Sequence, residues 1–172
     1  EPILSDSFVT TPSCSFYAKE VGCLGALVIT ASHNPYNWLG LKIKSFNGCS
    51  VDESFTSEVE KRLMLGNSIE KIDGVNQLVD IKKFHLDRIK SLFDIDYISK
   101  RLKKMKLRIF VDSMHGSAAN CMAEIFASND LEVISEIRKD ADPFFGGKPP
   151  EPLLNYADDL KQTLMKNSTN EV

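Results

Sequence analysis

The chain has 172 residues, of which 42% are hydrophobic, and this is enough for one large or two small domains with buried cores. Its 21 basic and 24 acidic residues give a net charge of −3, so the composition provides no attraction to nucleic acid or to an anionic membrane. No apolar run approaches the ~20 residues of a membrane-spanning helix, and the first residues carry no signal core. These features predict a cytoplasmic protein with no nucleic-acid or membrane partner.

The first third of the chain predicts a helix followed by two strands. Thr11 is interpreted as an N-cap with Pro12 at the first helical position, and Gly22 ends the helix. Residues 24–30 form an almost unbroken apolar run, which is typical of a strand covered on both faces. Residues 39–46 alternate apolar and polar side chains, which predicts a strand with one solvated face. On that strand Lys42 is expected to point away from the core.

Charged, amphipathic sequence follows the second strand. Asp52 predicts the N-cap of a helix that ends before Gly66. Residues 67–106 predict one or two further helices. The basic cluster at residues 100–108 resembles a nucleic-acid patch in charge, but it has no interleaved aromatic residues. We therefore interpret it as the solvated end of a helix, where cations suit the helix dipole.

A strand-helix-strand pattern occupies the second half of the chain. Residues 107–112 and 131–137 predict two strands, and residues 117–127 predict the helix between them. Such a unit implies parallel strands joined by a right-handed connection. The Pro- and Gly-rich residues 142–152 predict a loop, and residues 156–165 predict a last helix.

The four cysteines show no spacing typical of a metal site. They form no Cys-x-x-Cys pair, and no histidines are placed to complete a zinc set. We expect reduced thiols at Cys14, Cys23, Cys49 and Cys121.

The most informative motif is Thr-Ala-Ser-His-Asn-Pro at residues 30–35, directly after the first predicted strand. The carboxyl end of a strand in an open α/β sheet faces the crevice where ligands bind. Pro35 disfavours a helical residue before it, so Ser32 is held in a loop. Ser-His-Asn-Pro is also an ordinary turn sequence. However, Lys42 follows ten positions after Ser32 within Gly-Leu-Lys, and a motif is judged by its context, so Ser32, His33 and Lys42 are the candidate site residues of this segment.

This strand-loop-lysine pattern resembles the phosphoserine loop of the α-D-phosphohexomutases, the family of phosphoglucomutases and phosphomannomutases. The resemblance implies that Ser32 carries a phosphoryl group, which moves between the C1 and C6 hydroxyls of a hexose through a bisphosphorylated intermediate. Hexose phosphate and hexose bisphosphate are the implied substrates. Lys42 would then act as a general acid/base or charge clamp, and His33 would bind the phosphate or steady the loop, so both would contact substrate. A surface lysine and a structural histidine are the alternatives at these positions.

Two further stretches carry the same resemblance. Residues 111–116, Val-Asp-Ser-Met-His-Gly, resemble the start of the family's second domain. Residues 145–152, which contain Phe-Gly-Gly and Pro-Glu-Pro, resemble the loop that leads toward the metal site. The resemblance therefore implies an α/β protein made of two incomplete α/β domains, with mixed or parallel sheets flanked by helices. Residues 1–90 would be the C-terminal part of domain 1, and residues 91–172 the N-terminal part of domain 2.

Three loops of this family have no counterpart in the chain. They are the Asp-Gly-Asp-x-Asp-Arg magnesium loop, the Gly-Glu-x-Ser-Gly sugar loop and the C-terminal phosphate loop. The resemblance thus implies a fragment in which phosphorylated Ser32 supplies one ligand to Mg²⁺, while the remaining ligands lie outside this chain. We expect such a fragment to be inactive alone. The sequence carries no signal for an oligomeric state.

Other residues near these motifs have less specific interpretations. Trp38 can stack on a sugar or pack in the core, and packing is favoured. His115 precedes a glycine and is interpreted as structural, and His85 as solvent-facing or hydrogen-bonded. Two alternative functions stay open. One is a phosphoglucosamine mutase, which usually carries an Asn-Gly-Ile-Lys string that this chain lacks, and the other is a non-catalytic relic that keeps the fold.

Overall fold

The computed structural model describes residues 1–66, 77–126 and 133–168, which form small sheets flanked by helices. The strands pair as β1 (Ile3–Ser5) with β4 (Gln77–Val79), β2 (Gly25–Ile29) with β3 (Leu41–Ser45), and β5 (Ile109–Asp112) with β6 (Ile134–Ile137). The helices are α1 (Thr11–Glu20), α2 (Glu53–Met64), α3 (Ile81–Leu92), α4 (Ile95–Lys104), α5 (Cys121–Phe126) and α6 (Asp158–Ser168). The β1·β4 and β5·β6 pairs are parallel and the β2·β3 pair is antiparallel, which confirms the predicted α/β class.

The chain divides into two compact units. The first consists of Glu1–Thr30 and Gly40–His85, and the second of Ala31–Leu39 and Leu86–Val172. The candidate phosphoserine loop thus belongs to the second unit, although the strands on either side of it belong to the first. The division into family domains between residues 90 and 91 stays a prediction, since compact units need not coincide with evolutionary domains.

Helix α1 begins one residue earlier than the N-cap prediction implied. Thr10 is extended (φ −73°, ψ 152°), and its hydroxyl accepts the backbone N–H of Ser13 at 3.3 Å, so Thr10 and not Thr11 is the N-cap. Pro12 lies in the first turn, where its missing N–H has no intrahelical partner to lose. Gly22 ends the helix as predicted, with φ +72°.

The β2·β3 pair differs from the strand that the sequence predicted to be covered on both faces. Val28 is 7% exposed, but Leu27 and Ile29 are 69% and 74% exposed. In the described residues β2 pairs with one strand only, and its side chains alternate between a covered face and an open one. Lys42 lies directly opposite Val28 and so emerges on the same face as this buried residue. The expectation that Lys42 points away from the core side was therefore wrong, although Lys42 itself is exposed.

Residues 52–66 and 77–106 confirm the predicted helices and add one strand. Asp52 accepts the N–H of Phe55 at 3.0 Å and caps α2, and Gly66 follows the helix with φ +62°. Residues 67–76 lie outside the described part of the chain. The strand β4, which pairs with β1, was missed because three residues are too few to show an alternating pattern. The cations Arg101, Lys103 and Lys104 occupy the last turn of α4, which agrees with the helix-end interpretation of the basic cluster.

Aromatic packing between α1 and the start of α3 supports the first unit. The Phe84 ring lies 5.6 Å from the Phe16 ring and 5.0 Å from the Tyr17 ring, with the second pair edge-to-face. His85 Nδ1 lies 2.7 Å from the Ser13 hydroxyl, so this histidine is hydrogen-bonded, as one of its two interpretations held. Partial burial lowers the pKa of His85 below its ordinary value.

The second unit is built around the predicted βαβ pattern. Parallel pairing runs from Ile109 with Ile134 to Asp112 with Ile137. The helix predicted over 117–127 is shorter, because residues before Cys121 form turns in which Asn120 adopts φ +65°. Residues 127–132 lie outside the described part of the chain. The core of the second unit joins α3, α5 and the start of β6, and it consists of Leu86, Ile125, Phe126, Val133 and Ile134.

The last helix and the cysteines complete the comparison with the sequence. Residues 154–156 form a short 3-10 turn, and α6 begins at Asp158 and not at residue 156. The four cysteines are free thiols, as expected. None of the helices within residues 1–66, 77–126 and 133–168 is long and apolar enough to cross a membrane.

Candidate active site

The candidate site is the loop at residues 31–39, which follows the carboxyl end of β2. Ser32 is exposed and adopts the left-handed conformation with φ +60°. The N–H of Asn34 donates to the carbonyl of Ala31 at 3.1 Å, and that of Trp38 donates to the carbonyl of Pro35 at 3.0 Å. These two turns confirm that the motif does not continue into a helix. They hold the Ser32 hydroxyl at the surface, where a substrate can reach it.

The two ends of this loop are tied together by a close backbone contact. The Thr30 N–H donates to the Gly40 carbonyl at 2.9 Å. A Cβ atom at residue 40 would lie 2.8 Å from the Thr30 carbonyl oxygen, which is closer than side chains tolerate. Glycine is therefore required where the motif places it, two residues before Lys42.

His33 lies between Ser32 and a carboxylate from a distant part of the second unit. Its Nδ1 is 3.4 Å from the Ser32 Oγ atom, and its Nε2 is 3.7 Å from Glu151 Oε1. The His33 and Glu151 side chains are 56% and 33% exposed, respectively. The ring nitrogens of one histidine thus face a hydroxyl on one side and a carboxylate on the other.

A second contact joins the same two segments. The rings of Tyr36 and Phe144 are 5.0 Å apart at 72°, in an edge-to-face arrangement. Phe144 belongs to the loop that also carries Glu151, so residues 144–151 contact the Ser32 loop at two points. One contact is between two aromatic rings, and the other is between an imidazole nitrogen and a carboxylate oxygen.

Other predicted site residues are placed differently. Lys42 lies on β3 in the first unit and is exposed. Trp38 is 61% exposed, so the packing role preferred for it was wrong, because the loop leaves its indole at the surface. The structure thus brings Ser32 and His33 together in one loop, whereas Lys42 is described with the other unit.

A buried ion pair anchors the ends of the two strands in the second unit. Arg138 donates through Nε to Asp112 Oδ1 at 2.7 Å and through Nη2 to Oδ2, which is a bidentate pair. The Arg138 side chain is 13% exposed and that of Asp112 is 4% exposed. Arg138 Nη2 also donates to the carbonyl of Tyr156 at 3.2 Å. The hydrogen bonds that Arg138 donates to the Asp112 carboxylate raise the pKa of Arg138, so the guanidinium stays charged.

The turn after Asp112 directs His115 onto the loop at residues 140–147. Met114 and His115 have φ of +47° and +59°. His115 Nδ1 lies 2.8 Å from the Asp140 carbonyl, which agrees with the structural role expected for it. A Cβ at Gly146 would lie 3.5 Å from His115 Nε2, so this loop approaches the imidazole closely.

Asp142 shapes the same loop. It accepts the N–H groups of Phe144 at 2.8 Å and Gly146 at 2.9 Å. These hydrogen bonds to the charged form hold the pKa of Asp142 below its usual value. The turn that presents the Phe144 ring is thus fixed by a carboxylate two residues before it.

The described residues contain no metal site of their own. Within residues 1–66, 77–126 and 133–168, no group of three or more His, Cys, Asp or Glu side chains is placed to hold an ion. A phosphate on Ser32 would add oxygen ligands, but no aspartate cluster is described around it. The described residues therefore do not form a complete Mg²⁺ site.

The sequence did not reveal that Glu151 and Phe144 contact the Ser32 loop, or that Arg138 pairs with Asp112. The resemblance covered the segment that contains Glu151 and Phe144, but no sequence pattern pairs Glu151 with His33 across more than a hundred positions. The one available signal was composition, since a Pro- and Gly-rich loop with aromatic and acidic residues is a common binding element.

Comparison with protein families matches nearly the whole chain. Residues 2–68 match the model of the phosphoglucomutase/phosphomannomutase alpha/beta/alpha domain I, and residues 83–171 match that of domain II.

Curated relatives and solved structures agree with these matches. The chain is 28% identical to phosphoglucomutase-2 of Paramecium tetraurelia, with 91% of the chain and 34% of that protein aligned. It is 32% identical to a phosphoglucosamine mutase of Prochlorococcus marinus over 72% of the chain and 27% of that protein. A crystal structure from Thermus thermophilus, described as a phosphomannomutase, superposes with a TM-score of 0.79 at 25% identity, over 94% of this chain and 36% of that one. The chain thus spans about a third of the length of the relatives it matches.

Proposed function

The chain belongs to the phosphoglucomutase/phosphomannomutase family, and we propose that it forms part of a sugar-phosphate mutase in which Ser32 carries the phosphoryl group. Phosphoserine 32 would donate its phosphoryl group to one hydroxyl of a hexose phosphate. The resulting hexose bisphosphate would return the other phosphate to Ser32, so that the phosphate moves between the C1 and C6 hydroxyls. Hexose phosphate and hexose bisphosphate are the proposed substrates.

The observation that carries this proposal is the placement of the Ser32 hydroxyl. It is exposed, it lies in a loop at the carboxyl end of a strand, and a histidine nitrogen is 3.4 Å away. Free serine is a weak nucleophile and requires a neighbouring base or positive charge. Phosphoryl transfer depends mainly on positioning and on charge stabilisation, and a loop held by two backbone turns supplies the positioning.

Two further roles belong to the same proposal. Lys42 acts as general acid/base or as a charge clamp on the transferring phosphoryl group, and it contacts substrate together with His33. Mg²⁺ is the proposed cofactor, with an oxygen of phosphorylated Ser32 as one ligand and the remaining ligands outside this chain. When bound, Mg²⁺ would neutralise charge on the phosphoryl group. The described residues form no complete ion site by themselves.

A phosphoglucosamine mutase is the second candidate. The similarity to the Prochlorococcus marinus enzyme of that name favours keeping it. The string that those enzymes usually carry after Ser-His-Asn-Pro is absent here, so glucose or mannose phosphate is the preferred substrate. A non-catalytic relic that keeps the fold is a third outcome, which the following test would reveal.

The test is to phosphorylate the protein at its natural length. We expect that incubation with glucose 1,6-bisphosphate leaves phosphate on Ser32 alone, as located by mass spectrometry of peptides. Ser32→Ala should accept none and should lose most of its turnover with glucose 1-phosphate or mannose 1-phosphate. Glucosamine 1-phosphate, assayed in parallel, separates the two candidate mutases.

Two results would contradict this function. One is phosphate on Ser45 or Ser50 with Ser32 unmodified, since these hydroxyls lie nearby in sequence and serve as internal controls. The other is a folded, full-length protein that takes up no phosphate and turns over none of the three sugar phosphates, which would favour the relic.

A further inference from the structure

We propose that Glu151 is a positioning residue that orients His33 so that its Nδ1 accepts the proton of Ser32 when the dephosphorylated serine is rephosphorylated. The proposal rests on the proposed function, because it assigns the group that activates Ser32. It adds a residue from the second unit's proline-rich loop to a site otherwise read from residues 30–42. Nothing in the motif itself indicates this residue.

The Ser32 hydroxyl and the Glu151 carboxylate lie next to opposite nitrogens of the His33 ring. The Ser32 Oγ atom lies 3.4 Å from His33 Nδ1, and the Glu151 Oε1 atom lies 3.7 Å from His33 Nε2. Nucleophilic serines are commonly activated by a histidine that a carboxylate holds from the opposite ring nitrogen. These distances are longer than ideal hydrogen bonds, as is usual at catalytic contacts before substrate binds.

The carboxylate determines which ring nitrogen of neutral His33 carries the proton. A neutral imidazole has one donor nitrogen and one acceptor nitrogen. An ionised Glu151 carboxylate can accept a hydrogen bond but cannot donate one. It therefore favours the form of His33 with hydrogen on Nε2 and a free lone pair on Nδ1. That lone pair faces Ser32. Without Glu151, the opposite form competes, and it cannot take the serine proton.

The proposed step transfers a phosphoryl group from the hexose bisphosphate to Ser32. The Ser32 oxygen forms a bond to phosphorus of the hexose bisphosphate, and the bond between phosphorus and the sugar oxygen breaks. The serine proton moves to His33 Nδ1, which makes an imidazolium whose positive charge faces the Glu151 carboxylate. The sugar oxygen leaves with the bonding electron pair and receives a proton from the Lys42 ammonium in its proposed acid role. The products are phosphoserine and hexose monophosphate.

Glu151 is held near His33 by the rest of its loop and not by its contact with the imidazole alone. The edge-to-face contact of Tyr36 with Phe144 joins the same two segments. Asp142 fixes the turn that carries Phe144 through two backbone hydrogen bonds. The His33 and Glu151 side chains are partly exposed, and contacts between exposed polar groups contribute little to stability even when both groups are charged. The effect of Glu151 is therefore on the orientation of His33, and its removal should leave the fold intact.

The experiment measures single-turnover phosphorylation of Ser32 by glucose 1,6-bisphosphate in the dephosphorylated full-length protein. Glu151→Gln should slow this rate by about 10- to 100-fold, which is the usual effect of losing a group that orients a functional histidine. The concentration of bisphosphate that gives half the maximal rate should not change. His33→Gln should slow the rate by at least about 100-fold. The double variant should be no slower than His33→Gln, because Glu151 acts through His33.

Matched controls separate this inference from the proposed function. Glu60→Gln removes the same charge from an exposed helical position and should leave the rate unchanged. If Ser32 of the unaltered protein takes up no phosphate, the proposed function has failed. If Ser32 is phosphorylated and Glu151→Gln matches Glu60→Gln, the function stands and the role of Glu151 is refuted. A double variant that is slower by the product of both single effects would also refute it.

A second measurement covers the case in which Glu151→Gln is poorly folded. Nitrogen-15 NMR of the ring of neutral His33 should report hydrogen on Nε2 in the unaltered protein and in Glu151→Asp, which keeps the carboxylate. Glu151→Gln, or Glu151→Ala if the amide variant does not fold, should give a mixture of the two forms. Equal mixtures in all of these proteins would overturn the proposal.

Discussion

Replacement of Arg138 by methionine tests the ion pair that anchors β5 and β6 in the second unit. Methionine keeps much of the side-chain volume but leaves the Asp112 carboxylate, 4% exposed, without its counter-ion. Breaking a buried ion pair in this way costs about 3–5 kcal/mol. Asp112 still accepts the Met114 N–H at 3.1 Å, so we expect the lower end of this range, about 3 kcal/mol. The lost hydrogen bond to the Tyr156 carbonyl acts in the same direction.

Urea unfolding followed by circular dichroism measures this effect. With a slope of about 2 kcal/mol per molar, the midpoint should fall by about 1.5 M. Arg62→Met is the control, because its pair with Glu58 has 73% and 54% exposed side chains and is worth less than about 0.5 kcal/mol. Equal midpoints for Arg138→Met and Arg62→Met would refute the account of the buried pair. Arg138→Lys should lie between Arg138→Met and the unaltered protein, since an ammonium cannot make the bidentate contact.

Three further predictions concern other parts of the chain. The lowered pKa of His85 means that its protonation is less favourable in the folded protein than in the unfolded one, so stability is full above the ordinary pKa of 6.5 and falls as the pH drops from there through the lower folded pKa. Urea midpoints measured across this pH range should depend less on pH in His85→Gln than in the unaltered protein. The same pH dependence in both proteins would contradict this prediction. Gly25→Ala should destabilise the protein by about 1–3 kcal/mol, because the new Cβ would lie 2.3 Å from the Lys44 carbonyl oxygen; thermal unfolding checks it, and an unchanged melting temperature would refute the close contact. The 172-residue chain alone should show no tight Mg²⁺ binding in isothermal titration calorimetry, since its described residues form no ion cluster; a strong, saturable signal would reveal ligands that this account lacks.

The local chemistry of neighbouring residues was enough to predict most helices and strands and the Ser32 loop. Pro35 and Gly40 restrict the backbone only near their own positions. The loop and the close contact between its ends can therefore be inferred from these two residues. The same holds for Asp52, whose carboxylate caps the helix that starts at the next residue. The N-cap of α1 was misplaced by one residue because Thr10 and Thr11 have the same capping chemistry, and only the backbone conformation distinguishes them.

Features that depend on distant residues could not be inferred in this way. The sequence of β2 is apolar along its length, but exposure of Leu27 depends on which elements cover it and not on its own side chains. Pairing of β3 with β2 decided the face of Lys42, because the register places it opposite Val28. Contact of Glu151 with His33 depends on the path of the whole second unit.

The pairing of β1 with β4 has a consequence for the order in which the first unit can form during translation. Strands β2 and β3 are separated by a short loop, so they can pair soon after both have left the ribosome. Strand β1 must wait, because Ile3 pairs with Gln77, 74 positions later. At about 5–20 residues per second, synthesis of the intervening chain takes roughly 4–15 s. During that interval the nascent chain presents β1 without its partner, so β1 acquires its native hydrogen bonds after β2 and β3, although it is synthesised before them.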